Sequence, residues 1–153
     1  MIQPMTRSAT EYTLEKSLGH LTARFTRVLL RRINATLSQH GFPITSDQYS
    51  FLVQLWERNG LPQGVLADKT AKDKTTMARL AAGLESLGLI VRLPSPSDAR
   101  ERLVFLTDKG KETMDEATGL VRGILSEAQQ GIDEAQLEVC REVLRCAFIN
   151  LQK

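Results

Sequence analysis

Cysteine, histidine and aromatic residues are scarce in this chain: two Cys, two His, one Trp, two Tyr and five Phe among 153 residues. Two cysteines exclude a disulfide-built scaffold. Cys140 and Cys146 fall on one helical stretch with a rise of roughly 9 Å between them, outside the Cα window of a disulfide, so they cannot bridge within that helix. A structural role is expected for both. His20 and His40 lie about 30 Å apart along another helical stretch and cannot share a metal ion within one chain. Neither a metal nor a cofactor is expected. No apolar run approaches the roughly 20 residues of a membrane span. The opening residues, Met1-Ile2-Gln3-Pro4-Met5-Thr6-Arg7, lack the apolar segment and cleavage site of a secretory signal, so a cytoplasmic location is expected. A nucleophile with its base, paired carboxylates in a cleft and a phosphate loop are all missing as motifs, and no enzyme is expected.

What the chain does have is an ordinary apolar and charged content, enough for a single domain over 1–153 with a core of its own. Its charge is unevenly spread. Residues 1–67 hold 7 Lys/Arg and 4 Asp/Glu, residues 68–111 hold 9 and 6, and residues 112–153 hold 4 and 8. That distribution is expected of a chain whose centre meets phosphate and whose tail meets protein.

The centre, residues 73–107, reads as a helix, a tight stop and a two-stranded hairpin. Asp73 to Thr76 offer capping side chains, and Met77, Leu80, Ala81, Leu84 and Leu87 recur on one helical face. Thr75, Arg79, Ala82 and Ser86 form the opposite face, small or polar groups with one long cation, as a helix needs if its backbone is to lie against a DNA groove. Gly88 ends the helix where a positive φ is wanted. The β-branched run 89–93 stops at Pro94, and 102–106 supplies a second strand. Between them, residues 95–101 are polar and too long for a two-residue turn, so the tip projects. Asp98 stands two residues from Arg100 and is expected to aim its guanidinium by charge-assisted hydrogen bonds, an arrangement suited to a narrow minor groove. A surface pair of little energetic consequence is the plainer alternative. Arg102 adds positive charge at the strand base.

Upstream, apolar positions from Leu14 to Leu37 repeat at three- and four-residue steps, which predicts one long helix over about 9–40. A helix of that length needs a second surface to bury its stripe, and another subunit is the obvious candidate. Thr45 with Gln48 forms a capping box, Ile44 with Tyr49 a hydrophobic staple, and Tyr49, Leu52, Val53 and Trp56 the core face of a second helix ended by Asn59-Gly60. Residues 61–68 read as a short helix with Pro62 in its first turn, joined through a turn at 70–72 to the central helix. Two helices so joined make a helix-turn-helix, or else an ordinary helical hairpin; the wing decides for the first. Thr107 caps a following helix with a stripe through Met114, Ala117, Val121, Ile124 and Ala128. Asp133 with Gln136 opens a last one to about 151. That last helix is apolar on two sides, Leu137, Cys140, Leu144, Ala147, Phe148 and Leu151 on one and Val139, Val143 and Cys146 on the other. Its own subunit is expected to cover one side and a two-fold-related copy the other.

In order and spacing these segments resemble the MarR family of winged helix-turn-helix transcription regulators over nearly the whole chain. Leu66-Ala67, the stretch 73–80, Leu84-Glu85, Gly88-Leu89-Ile90, Arg92, Asp98-Ala99-Arg100 and Val104-Phe105-Leu106-Thr107 before Gly110 carry the resemblance. It implies a mainly α fold with a small β-hairpin wing: a winged helix-turn-helix lobe over 45–107 and a helical dimerisation platform from 9–40 and 108–153. It further implies a homodimer that binds double-stranded DNA at a near-palindromic operator, usually as a repressor released by a small molecule. By the same resemblance Thr75, Thr76 and Arg79 face bases or phosphates, Lys74 a phosphate, and Arg100 the minor groove with Asp98 orienting it. Arg102 joins them as a DNA-binding candidate. The effector, which an aromatic acid would fit, is implied to lie between platform and lobe, with His20, Arg24, Phe25, Tyr49 and Trp56 as lining candidates. Two other functions remain open: a winged-helix protein-interaction module, and a thiol-based redox-sensing regulator working through the C-terminal cysteines. The Asp98-x-Arg100 wing and Arg79 favour DNA, because a protein-docking wing more often shows exposed apolar groups.

Overall fold

The computed structural model describes residues 13–153. The part of the expected first helix at 9–12, and the N-terminal residues read for a signal, lie outside the described residues. A single 3-10 turn, Leu14–Lys16, precedes helix α1, Leu18–Gln39. The one long helix expected over 9–40 is therefore interrupted. Ser17 is extended, at φ −78° and ψ 115°, and its Oγ accepts from the His20 N–H at 3.2 Å, so a capping serine starts a new helix inside the apolar repeat. Only Ile33 and Leu37 of α1 are buried, while Leu18, Leu21, Phe25 and Val28 stay exposed.

Helix α2, Ser46–Glu57, has the expected capping box. The Gln48 N–H donates to Thr45 Oγ1 at 3.2 Å and the Thr45 N–H to Gln48 Oε1 at 2.9 Å, with Ile44 and Tyr49 both buried. Its buried arc is wider than the pattern indicates. Phe51 and Leu55 are wholly inside, whereas Val53 and Trp56 are only partly covered, because α2 is surrounded by neighbours rather than laid on one surface.

A third correction concerns the stretch 61–68. Leu61–Pro62 is a strand, β1, and the short helix α3 begins only at Gln63 and runs to Thr70. Pro62 has no N–H to give a central ladder, and it sits on a sheet edge, where that lack costs nothing. The sheet has three strands rather than two, in the order β1, β3, β2, all antiparallel, with β2 at Ile90–Pro94 and β3 at Arg102–Leu106. Leu61 pairs with Val104, and both are buried. Gly60, at φ 73°, admits β1 into the sheet, since a Cβ there would lie 2.7 Å from the Phe105 ring.

Ala71 adopts a left-handed φ of 52° to turn α3 into helix α4, Lys74–Ser86. Met77, Leu80, Ala81 and Leu84 of α4 are buried as expected, and Gly88 follows at φ 71°. Helices α5, Asp108–Ala128, and α6, Glu134–Leu151, complete the chain. Together α2, α3, α4 and the sheet enclose the core, and α1 and α5 close one side of it. Contrary to expectation, α6 buries no residue against its own chain. Val139 is 65% and Leu151 86% exposed, so both of its apolar sides are bare.

Wing and platform meet at Thr107. Its N–H donates to the Leu89 carbonyl at 3.1 Å, its Oγ1 donates to the Gly88 carbonyl at 2.6 Å, and the same Oγ1 accepts from the Gly110 N–H at 3.0 Å. The fit leaves no room at Gly110, where a Cβ would come within 2.0 Å of the Leu89 oxygen. We expect Gly110→Ala to destabilise the fold by about 3 kcal/mol, because the obstruction is backbone and cannot rotate away. A thermal midpoint equal to that of the wild type would show that this junction is slack.

Candidate nucleic-acid interface

Helix α4 owes its start to Asp73. One carboxylate oxygen accepts from the Thr76 N–H at 2.8 Å and the other from the Thr76 hydroxyl at 2.7 Å. These bonds, the backbone one foremost, hold the Asp73 carboxyl below its usual range. A group lowered by folding contributes above its ordinary value and loses that contribution as the pH falls through its folded one, so the cap weakens only in acid. Thr76 is partly buried with its hydroxyl proton given to the cap. Lys74, Thr75 and Arg79 are exposed, and with Ala82 and Ser86 they form the open face of the helix. The turn before α4 is tied to α2 by an ion pair between Lys72 and Asp47 at 2.8 Å.

In the wing, the loop between β2 and β3 closes through the Ser95 N–H on the Glu101 carbonyl at 3.0 Å. Asp98 does not aim the Arg100 guanidinium as expected. Its Oδ1 accepts instead from the Arg100 backbone N–H at 2.9 Å, and its carbonyl accepts from the Glu101 N–H at 3.0 Å. Spacing of two residues suits this Asx turn better than a side-chain pair, because the backbone N–H is nearer and already oriented. Asp98 and Arg100 are both exposed at the tip. At the root of the wing, Arg92 Nη2 meets Glu85 Oε2 of α4 at 2.6 Å, and this hydrogen bond lowers the Glu85 carboxyl. Arg102 lies beside the pair.

The effector candidates do not share one cavity. Phe25 lines a groove of about 410 Å³ between α1 and α5, with Val28, Arg32, Ile124 and Glu127. Trp56 lines a separate cleft of about 310 Å³ near the start of α5, with Leu106, Asp108 and Lys111. His20, Arg24 and Tyr49 line neither. Two residues of α5 that the sequence reading missed organise this region. Trp56 Nε1 donates to Asp115 Oδ1 at 2.7 Å, and the Arg122 guanidinium lies 5.5 Å from the centre of the Trp56 ring. Burial pushes the Tyr49 hydroxyl above its ordinary pKa, and the charge of Arg122 opposes that rise. Their seven-residue spacing, which puts Asp115 and Arg122 on one side of α5, was the available signal. Among the described residues no cluster of three His, Cys, Asp or Glu is placed to hold a metal ion, and Cys140 and Cys146 are exposed thiols. No described helix is long and apolar enough to cross a membrane.

A helix-turn-helix carried beside a three-stranded sheet, with the β2–β3 loop projecting, defines a winged helix-turn-helix domain. Residues 44–101 match the model of the MarR family, and over this stretch the chain is similar to that family. It is 38% identical over 69 residues to the HTH-type transcriptional regulator YybA of Bacillus subtilis strain 168, covering 45% of this chain and 46% of that one. It is 32% identical over 77 residues to the transcriptional regulator HosA of Escherichia coli O111:H-, covering 50% and 57%. The chain thus spans about half the length of these curated relatives. Among solved structures, CouR from Rhodococcus jostii RHA1 bound to p-coumaroyl-CoA is similar over 88% of this chain and 94% of its own, at 26% identity and a TM-score of 0.77.

The Asx turn makes a local prediction. Asp98→Ala should reduce hydrogen-exchange protection of the Arg100 amide roughly fivefold, the equivalent of about 1 kcal/mol for one hydrogen bond. Asp98→Asn keeps the acceptor and should preserve protection. Equal protection in all three proteins would remove Asp98 as the organiser of the tip.

Proposed function

We propose that the protein is a homodimeric transcription regulator that represses by binding a near-palindromic operator and lets go when a small molecule binds. The observation that carries the DNA-binding part is the pairing of the exposed Thr75–Arg79 face of α4 with a projecting, cationic wing on one lobe. A major groove accepts such a helix, and Arg100 at the tip reaches the adjacent minor groove. Lys74 and Arg102 add phosphate contacts, and Thr76, whose hydroxyl oxygen still has a free lone pair, acts chiefly through the cap. Residues 45–107 form the DNA-binding lobe and 18–40 with 108–153 the dimerisation platform.

Support for the dimer comes from apolar surface that one chain leaves uncovered: both sides of α6 and the Leu18, Leu21, Phe25 and Val28 stripe of α1. Patches of this kind mark association surfaces. Because these side chains bury nothing within their own chain, Val139→Glu with Val143→Glu should give a folded monomer by sedimentation. A double variant that remained dimeric would place the interface elsewhere.

For the effector, the reading is an aromatic carboxylate at the seam between α2 and α5, where Arg122 supplies a cation beside the Trp56 ring; CouR, bound to p-coumaroyl-CoA, is a similar structure with an aromatic acyl ligand. One titration series tests both readings. On an operator selected from random duplexes, Arg79→Ala should cost about 1–3 kcal/mol and relax preference at one base pair per half-site. An equal loss on operator and random DNA would demote Arg79 to a phosphate contact, and no binding of either by the wild type would remove the DNA-binding reading. Aromatic acids that neither release heat on mixing nor displace the operator would overturn the effector assignment.

A further inference from the structure

The core-facing side of the sheet changes character as it runs outward. Ile90 and Val104 on that side are buried, but the next positions along it are Arg92, opposite Val104, and Arg102, opposite Pro94. Directly paired residues share a sheet face, so the two arginines lie diagonally side by side over the end of α4 and the start of α3. They border two clefts, one of about 330 Å³ with Glu85 and one of about 390 Å³ with Gln63, Gly64 and Arg100. Arg92 is held by Glu85 through two of its nitrogens, at 2.6 and 3.2 Å. Among the described residues the guanidinium of Arg102 has no hydrogen bond or ion pair. Gln63, whose Oε1 is buried without a partner, forms part of the wall.

We propose that this wing-root cleft seats one phosphodiester group of the DNA backbone, gripped by Arg102 and by the N–H groups of Arg92 that Glu85 leaves free. The inference rests on the DNA-binding reading above and assigns it a specific anion site. A guanidinium fork matches two phosphate oxygens, and Glu85 fixes the direction of Arg92 while cancelling its charge, so the net cation of the seat is Arg102. A phosphate held here carries no base information. It fixes how deeply the wing sits, which is a register function.

The test is the salt dependence of binding. With one seat per subunit, Arg102→Ala should lower the magnitude of the salt slope of a dimer by up to about 2, with equal loss on operator and random duplex and no change in thermal unfolding. Arg102→Lys should retain the slope. Operators carrying a single neutral methylphosphonate, walked along each strand, should reveal one position per half-site that weakens the wild type and leaves Arg102→Ala indifferent. An unchanged slope in Arg102→Ala, a loss confined to the operator, or the absence of such a position would overturn the seat while leaving DNA binding intact. Inorganic phosphate alone shifting the Gln63 and Gly64 amide resonances, without any change of DNA slope in Arg102→Ala, would assign the cleft to a free anion and overturn it too. Failure of the wild type to bind any duplex would bring down the parent reading instead.

Discussion

The contact of Gly110 with the Leu89 carbonyl is the constraint on which the arrangement of the molecule depends. Four elements end or begin within a few residues of it: α4 ends at Ser86, β2 starts at Ile90, β3 ends at Leu106 and α5 starts at Asp108. Thr107 bonds to Gly88, Leu89 and Gly110 at once, so the recognition-type helix, the wing and the platform helix are fixed to one another through backbone rather than through long side chains. A junction of backbone groups and one short hydroxyl side chain transmits position with little slack. The Leu-Thr-x-x-Gly pattern at 106–110 is the sequence trace of that junction, and its glycine is required by close approach rather than by dihedral angle.

The chain is unequal in how well it buries its own apolar surface. Lobe residues such as Phe51, Leu52, Leu66, Met77, Leu84 and Val104 are wholly inside, while α6 and the first half of α1 hold large apolar side chains out in water. A marginally stable domain cannot discard several such groups at roughly 25 cal/mol per Å² without some return. Division of labour follows from this imbalance. The core is built from the lobe together with the second half of α1 and much of α5, while α6 and the first half of α1 leave apolar surface that the proposed dimer would cover.

How much of this was legible in the sequence depended on how local each determinant is. Thr45 with Gln48, Asp73, Gly88 and Asp133 with Gln136 act within three or four residues, and each marks a boundary that the structure has. The strand at 102–106 was equally plain from its β-branched and aromatic content. Ser17 was missed because apolar periodicity runs through it on both sides, and a cap is a one-residue event. β1 was missed because its partner Val104 lies far along the chain, and two residues carry no period of their own. The wing carboxylate was found but its partner was misjudged: spacing of two identifies an Asx turn and a side-chain pair alike, and only geometry separates them. Trp56 packs against the core as its stripe predicts, but its polar neighbours Asp115 and Arg122 come from another helix and leave no pattern around residue 56.

The contacts of Trp56 with α5 bear on how one protein of this shape can be switched. A ligand changes DNA affinity only if it binds the DNA-competent and incompetent arrangements with different affinity, so its site must include groups whose separation differs between them. Side chains confined to the lobe do not meet that condition, because the lobe is held as a unit by its core and by the Thr107 junction. Under the proposed function that condition falls to the side-chain contacts between α2 and α5. The Trp56–Asp115 hydrogen bond and the Arg122 contact join α2 to α5 through side chains eight and fifteen residues past Thr107. An anion that draws Arg122 off the Trp56 ring alters the balance at this seam with no need to reach the recognition helix. Under the proposed function the two are complementary: the Thr107 junction fixes the start of α5 against the wing, and the Arg122–Trp56 contact farther along the same helix is where a bound anion acts.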